Sequence, residues 1–575
     1  MSSRTAVLCL CLGSAALAQN PPSKLRADII FVHGNVYTGV AGGATFGEAE
    51  RAQAIAVRGE RILAIGPERD VLQLKGPETK IVDLGGRFVM PGFNDAHLHL
   101  ADAGLQRRNV DLTGVKSLAE FRDRIRARAE AAAPGEWIRG GGWDQTLWPV
   151  KELPSRWDVD EVTADHPVFL DRVDGHIAVV NTRALQLASI TIATRDPAGG
   201  RIDRDLTDQP TGILRETARA AVWAVIPKPN HDQRKQALEM ALHELAKWGI
   251  TSAQDNSEAH DSQASWEDFQ VLEELEKEGK LTARVSEWLY FDDPLDVLQS
   301  RRAAHSAADS MLRTGQLKAF LDGSLGSRTA AMLDPYTDDP KNSGLPQYDQ
   351  GALNQMMEER VAAGFQVGFH AIGDKGVQMA LFAIADAERQ AQTLKVKAAN
   401  GGTDFRFRIE HEQVTTPSQI AKFKQLKVVA SIQPCHLLTD MNWAQARLGP
   451  QRAARSYAWN DLLQRGVVLA FGTDFPVEPV NPFRGLYAAV TRKSADGKRD
   501  YFPGQKLTID QAIAAYTTGS AFAEFAEKDK GKLVPGMLAD FAVLDRDITA
   551  VPADKLLATR VLRTVVGGKT VFEAK

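Results

Sequence analysis

The sequence predicts an α/β fold: a (β/α)8 TIM-like barrel, a small composite β-sandwich made from both chain ends, and an α+β insertion after the first barrel strand. Three observations carry this reading. Eight short apolar runs alternate with longer amphipathic stretches between Val89 and Asp474. Strand-like segments bounded by glycine gather at both ends of the chain. The first and second apolar runs also stand far apart. From His99 to Gly249 is 150 residues, whereas a loop and one helix need roughly 20.

Taken in order, the first residues are a separate object. Arg4 precedes an apolar run from Ala6 to Leu12, and Ala16-Leu17-Ala18 follows as an A-x-A cleavage pattern. Residues 1–18 are therefore expected to be a secretory signal peptide cut after Ala18. The run is too short for a membrane span, which needs about 20 apolar residues. The expected destination is the periplasm or the exterior, with no membrane attachment after cleavage. Cys9 and Cys11 leave with the signal and Cys435 alone remains, so no internal disulfide is available.

Residues 19–90 hold ADIIFVHGNVYTG, AIAVRGERILAIG and KIVDLGGRFVM, each with β-branched alternation. Residues 531–575 hold GKLVPGMLADFAVLDRD and RVLRTVVGGKTVFE, which read the same way. Together they form the predicted sandwich. Residues 91–530 form the barrel. Its runs are VMPGFNDAHLHL, GITSAQD, LTARVSEWLYFD, QLKAFLDGS, FQVGFHAIGD, FRFRIEHEQ, KVVASIQP and GVVLAFGTD. Helical patterns such as HDQRKQALEMALHELAKWG lie between them, which is the alternation of a parallel barrel. The insertion is expected over about residues 105–235, as a small α+β subdomain over one barrel end.

Composition excludes several classes. Hydrophobic residues are 44% and charged residues 25% of the chain, which is ordinary globular content rather than disorder. Lys plus Arg is 69 against 73 Asp plus Glu, a net charge of -4. No basic footprint for nucleic acid is present. A small molecule is the expected partner, and a homodimer is left open.

Chemistry gathers at the run ends. Asp95, His97 and His99 alternate along the first run and share a face. Lys318 lies in the fourth run, His370 ends the fifth, His411 lies near the end of the sixth and Asp474 closes the eighth. In a barrel these ends converge on one mouth, where active sites lie. Four histidines and an aspartate there make a divalent metal site. A free ammonium cannot ligate a cation, so Lys318 must be neutral, modified or one step back from the metal. Asp474 is placed to take a proton from metal-activated water. No G-x-S-x-G elbow occurs.

Further residues attach to this core. Asp95 is expected to orient a histidine from behind. His176, in VDGHIAVVN, is a candidate contact to substrate or transition state, with a hydrogen bond inside the subdomain as the alternative. Arg328 is a candidate for holding a substrate oxygen, with an ion pair as the alternative. Trp143, Trp148 and Trp443 are candidates for an aromatic pocket, with packing as the alternative. Asp374 reads as a helix cap or as a group behind the candidate ligands.

PGFNDAHLHL, the lysine of the fourth run, HAIGD, RIEHEQ and FGTDFP resemble the amidohydrolase superfamily. KAFLDGSLGSRTA, GGGWDQ and DRVDGHIAVVN resemble its large branch that includes N-substituted formamide deformylases. The resemblance spans residues 28–575. It implies a metal-dependent hydrolase holding one or two divalent ions, zinc as the first choice. His97 and His99 would hold the more buried ion, and His370 and His411 the second. Lys318, carboxylated by carbon dioxide, would bridge them. Asp474 would bind metal and act as general base. The expected reaction is hydrolysis of an amide-type C–N bond, in an N-acyl or N-formyl amine or a cyclic amide. The alternatives are a mononuclear deaminase on the same fold, and an exported metal- or ligand-binding protein without turnover.

Overall fold

Strands buried on both faces need apolar residues on both faces, and the eight runs supply them. A computed structural model of the chain describes residues 25–40, 51–163, 165–172, 177–197, 200–256, 262–398 and 401–575. The expected signal peptide, with Cys9 and Cys11, lies outside the described residues, as do Asp174, Gly175 and His176.

The barrel strands are β1 (Phe93–Leu98), β2 (Ile250–Asp255), β3 (Arg284–Tyr290), β4 (Leu312–Phe320), β5 (Gln366–Ala371), β6 (Arg408–His411), β7 (Val429–Ile432) and β8 (Leu469–Phe471). They form one eight-stranded sheet in chain order, and each consecutive pair is parallel. The seam between β8 and β1 closes just beyond the strands. The Asp474 N–H donates to the His97 carbonyl at 2.8 Å, and the His99 N–H donates to the Phe475 carbonyl at 2.8 Å. The predicted barrel is thus the one observed.

The helix Leu100–Arg108 follows β1 directly, and the helix His231–Lys247 leads back into β2. They cross closely: a Cβ on Gly104 would sit 1.9 Å from the Ala237 carbonyl oxygen. Only glycine fits there. Both helices belong to the barrel layer, so the expected insertion span of 105–235 overlaps their ends.

Between them lies a six-stranded mixed sheet. Its order is Gly200–Arg204, Pro210–Glu216, Ile177–Val180, Val168–Arg172, Ile138–Trp143, Val110–Asp111. The helices Leu118–Glu130 and Arg156–Thr163 accompany it. This subdomain has its own core, with Phe121, Ile125, Ile138, Trp143, Trp148 and Val159. Trp143 is wholly buried there, and its indole N–H donates to the Leu170 carbonyl at 3.0 Å. Trp148 donates likewise to the Val115 carbonyl at 3.1 Å. The expectation that Trp143 binds substrate is therefore corrected. A large apolar ring with one satisfied polar atom is a core residue.

Both chain ends build the sandwich. One sheet holds Arg61–Gly66, Ala54–Arg58, Ile29–Val32 and Lys80–Asp83. The other runs Lys569–Glu573, Val561–Val566, Phe541–Leu544, Phe88–Pro91, Asn35–Tyr37, Arg51–Ala52. The two ends meet where Phe541–Leu544 pairs antiparallel with Phe88–Pro91. Phe31 and Phe541 pack edge to face between the sheets, their ring centroids 4.9 Å apart. Arg284, at the start of β3, forks onto Asp540 at 2.7 and 3.1 Å. The sandwich is thereby tied to the barrel at the end opposite the mouth.

The core assignment of Trp143 has a direct test. Trp143→Ala should cost about 3–5 kcal/mol of stability, as for other buried aromatic truncations, read by denaturant unfolding. A variant as stable as the parent would contradict it.

Candidate metal centre

Alternation along β1 turns Asp95, His97 and His99 toward the mouth. The Asp95 carboxylate accepts from the backbone N–H of His97 at 3.2 Å, the N–H of Thr473 at 2.9 Å and the Thr473 hydroxyl at 2.6 Å. Burial pushes its pKa up to about 7, against these bonds. Asp95 therefore pins the segment after β8 to β1. It touches the backbone of His97 and not an imidazole, which corrects the expected role.

The orienting carboxylate is Glu410. His97 Nδ1 lies 2.7 Å from Glu410 Oε2. Burial pushes Glu410 up, but Arg408 and His97 outweigh it and hold its pKa at about 2. Arg408 is itself wholly buried and contacts Glu410 at 2.9 and 3.1 Å. It also reaches the Ala96 carbonyl at 2.7 Å, the Ser431 hydroxyl at 2.8 Å and Gln254. Its guanidinium lies 4.5 Å from the Trp288 ring centroid. Reaching from β6 to β1, β2, β3 and β7, Arg408 fills the barrel interior beneath the mouth.

Above it the candidate ligands converge. His97 Nε2 is 3.4 Å from Lys318 Nζ and 3.5 Å from Asp474 Oδ1. His99 donates from Nδ1 to the Asn256 carbonyl at 3.0 Å, and its Nε2 meets Asp474 Oδ1 at 3.1 Å. His411 ends β6 at a positive φ of 76°. Its Nδ1 is buried without a hydrogen-bond partner, 4.0 Å from Asp474 Oδ2. His370 packs against His411, ring centroids 4.5 Å apart, with Nε2 3.2 Å from the Gly323 carbonyl. Asp322 fixes that corner by accepting from the N–H groups of Ala331, Ile372 and Gly373 at 2.8–2.9 Å.

The electrostatics follow from burial and mutual charge. Burial, then the Lys318 charge, lowers His97 to about 4 and His370 to about 3. Burial, then His370, lowers His411 well below the ordinary value. Burial brings Lys318 down to about 8, and among the described residues no carboxylate lies within ion-pair distance of its Nζ. Asp474 is held well below the carboxylate range; burial opposes this, but His97, His436 and His99 prevail.

His436 is the residue that sequence reasoning missed. It opens the short helix His436–Asp440 after β7, and its Nε2 lies 2.9 Å from Asp474 Oδ2. Burial disfavours its charge, yet Asp474 raises its pKa to about 9. Among the described residues, two of the three sets with ligand atoms within 4.8 Å of one another lie at the mouth: His97, His99 and Asp474, and His411, His436 and Asp474. The neutral buried imidazoles of His97, His370 and His411, an orphaned His411 nitrogen and one ionised carboxylate fit a divalent metal.

Other expected residues lie elsewhere. Arg328 forks onto Asp338 at 3.1 and 3.0 Å, and Asp338 also takes Arg447 at 2.5 Å. Its guanidinium is a structural ion pair, which corrects the expected substrate role. Asp374 begins a helix and accepts from the Leu333 N–H at 2.7 Å. Trp443 packs over Gly326, beside the loop after β4. Cys435 is buried and free.

Glu410→Gln should weaken binding of a divalent metal about 10–100-fold, the usual effect of losing a carboxylate behind a ligating histidine. Metal titration of the variant measures it, and unchanged affinity would remove Glu410 from the centre.

Comparison with known proteins bears on the family and the fold. The sequence profile of the amidohydrolase family matches residues 80–572. Protein LONG AFTER FAR-RED 3 of Arabidopsis thaliana is 35% identical over 557 residues, covering 96% of this chain and 93% of that one. N-substituted formamide deformylase of Arthrobacter pascens is 25% identical, covering 95% and 98%. A solved uncharacterized metal-dependent hydrolase from Pyrococcus furiosus is 32% identical, with a TM-score of 0.73 over 91% of this chain and 99% of that one. The chain belongs to the amidohydrolase family and is a metal-dependent hydrolase.

Proposed function

We propose that this enzyme hydrolyses an amide-type C–N bond of a small molecule, an N-acyl or N-formyl amine or a cyclic amide, with Asp474 as general base. The observation that carries the reading is the Asp474 carboxylate. It is ionised, buried, and shared by His99 at 3.1 Å and His436 at 2.9 Å at the point where the histidines converge. The deformylase among its relatives supports the bond type.

His97, His99, His370, His411 and Asp474 are the side chains that would hold one or two ions, zinc as the first choice. A divalent ion held there would lower the pKa of water from 15.7 to about 7 and polarise a carbonyl oxygen. Asp474 receives the proton from the attacking water at a carboxylate oxygen. The water oxygen bonds to the carbonyl carbon, the C–N bond breaks, and Asp474 passes the proton to the departing nitrogen. His436 carries a proton near neutral pH and donates it from Nε2 to Asp474 Oδ2. That contact keeps Asp474 ionised between turnovers.

Lys318 has a distinct part. With a pKa near 8 its amine is partly neutral under ordinary conditions, and a neutral amine adds to carbon dioxide. An N–C bond would form and a proton would leave, so that a buried cation would become an anion with oxygens suited to a divalent ion. The insertion is part of the same proposal. Gly140, Gly141 and Gly142 share a cavity of about 760 Å³ with Phe475 and Glu478, just beyond Asp474. That cavity gives the subdomain a share in substrate choice. Export through residues 1–18 places the reaction outside the cytoplasm.

A strong chelator should abolish hydrolysis of an amide panel, and a divalent ion should restore it. Asp474→Asn should lower kcat about 10²–10⁴-fold, the usual weight of a positioned acid–base group; an unchanged rate would place the base elsewhere. Lys318→Ala should lose metal and activity, with short carboxylic acids restoring part of both. Full metal content and normal rates in Lys318→Ala would reduce the lysine to a structural role.

A further inference from the structure

We propose that the cavity beside His370 is a subsite for a cationic group, a primary or secondary ammonium, carried by the substrate at a distance from the scissile amide. The proposal rests on the hydrolytic reading of the metal centre and names the substrate class more closely.

The cavity measures about 500 Å³, and Tyr290, Phe320, Tyr348, Asp292 and His370 line it. Its floor belongs to the centre. Tyr290 ends β3 in register with Lys318, and Phe320 ends β4 in register with His370. The Phe320 ring lies 4.6 Å from Lys318 Nζ and 5.1 Å from the His370 ring. A molecule occupying the cavity therefore touches a candidate ligand at one end.

The same lining carries the Asp292 carboxylate. The Tyr290 hydroxyl donates to Asp292 Oδ2 at 3.0 Å, and the Tyr348 hydroxyl donates to Oδ1 at 2.6 Å. Burial raises the Tyr290 pKa to about 12, with Asp292 adding to it, so the hydroxyl stays a donor. Each carboxylate oxygen keeps a lone pair after one such bond. Among the described residues no lysine or arginine pairs with Asp292, whereas its neighbour Asp293 is matched by Arg301 at 2.8 Å.

Two tyrosines hold this exposed carboxylate in place and leave it without a counter-ion. Tyr290, Phe320 and Tyr348 contribute aromatic rings to the lining, and such rings attract cations through their quadrupole. An ammonium finds both a charge-assisted acceptor and π-faces here, and a carboxylate tail would be repelled. The geometry points to amides whose amine or acyl portion ends in an ammonium.

The test compares mono-N-acetylated linear diamines with N-acetyl alkylamines of matched length, on the metal-loaded enzyme. The wild type should favour the cationic member in kcat/KM by about tenfold or more, and Asp292→Asn should bring that ratio close to one. Tyr348→Phe should reduce the ratio in part, which guards against a folding defect in a single variant. Calorimetric titration with butylammonium reads the subsite without turnover: the wild type should bind it more tightly than Asp292→Asn. If no amide is cleaved but butylammonium binding depends on Asp292, the subsite stands and the hydrolytic reading falls. If both amides are cleaved with equal kcat/KM and Asp292→Asn binds butylammonium like the wild type, the subsite is overturned while hydrolysis stands.

Discussion

The structure turns on the seam between β1 and β8. Two backbone bonds, from the Asp474 N–H to the His97 carbonyl and from the His99 N–H to the Phe475 carbonyl, join the strands there. The same two bonds place Asp474 between the two histidines. Asp95 adds the Thr473 N–H and hydroxyl to the join. The contacts that close the barrel are thus the contacts that position the centre. A change that loosened the seam would displace the base by the same motion that opened the barrel.

Beneath the seam the interior is polar, which is costly unless every charge is answered. Arg408 and Glu410 answer each other, and Arg408 also satisfies three other strands. Glu410 then spends its remaining capacity on His97. The barrel core therefore does two things at once. It supports the mouth mechanically, and it fixes which nitrogen of His97 faces the centre. Lys318 stays the one buried cation at the mouth with no carboxylate beside it among the described residues. Burial pushes its pKa down, with Glu410 and Asp474 only partly opposing, and suits it to chemistry.

Much of this was legible in the sequence. Asp95, His97 and His99 declare a strand end through simple alternation, and the run-ending positions of His370, His411 and Asp474 need only the barrel to bring them together. The insertion showed itself through length. What stayed hidden depends on tertiary contacts. His436 sits on a helix past β7, off the strand-end pattern. Glu410 reads as one charge in RIEHEQ until Arg408 and His97 are seen on either side. Trp143 follows three glycines, which resembles a binding loop, but Phe121 from a distant helix encloses it. Arg328 looked available because its partner, Asp338, lies in a loop with no pattern of its own.

The central claim is that one divalent-metal centre lies among His97, His99, His411, His436 and Asp474. Anomalous diffraction recorded on either side of the absorption edge of the metal carried by the purified protein tests it most directly. The account expects one or two anomalous peaks within bonding distance of those side chains. A metal bound elsewhere, with no peak among these residues, would contradict it.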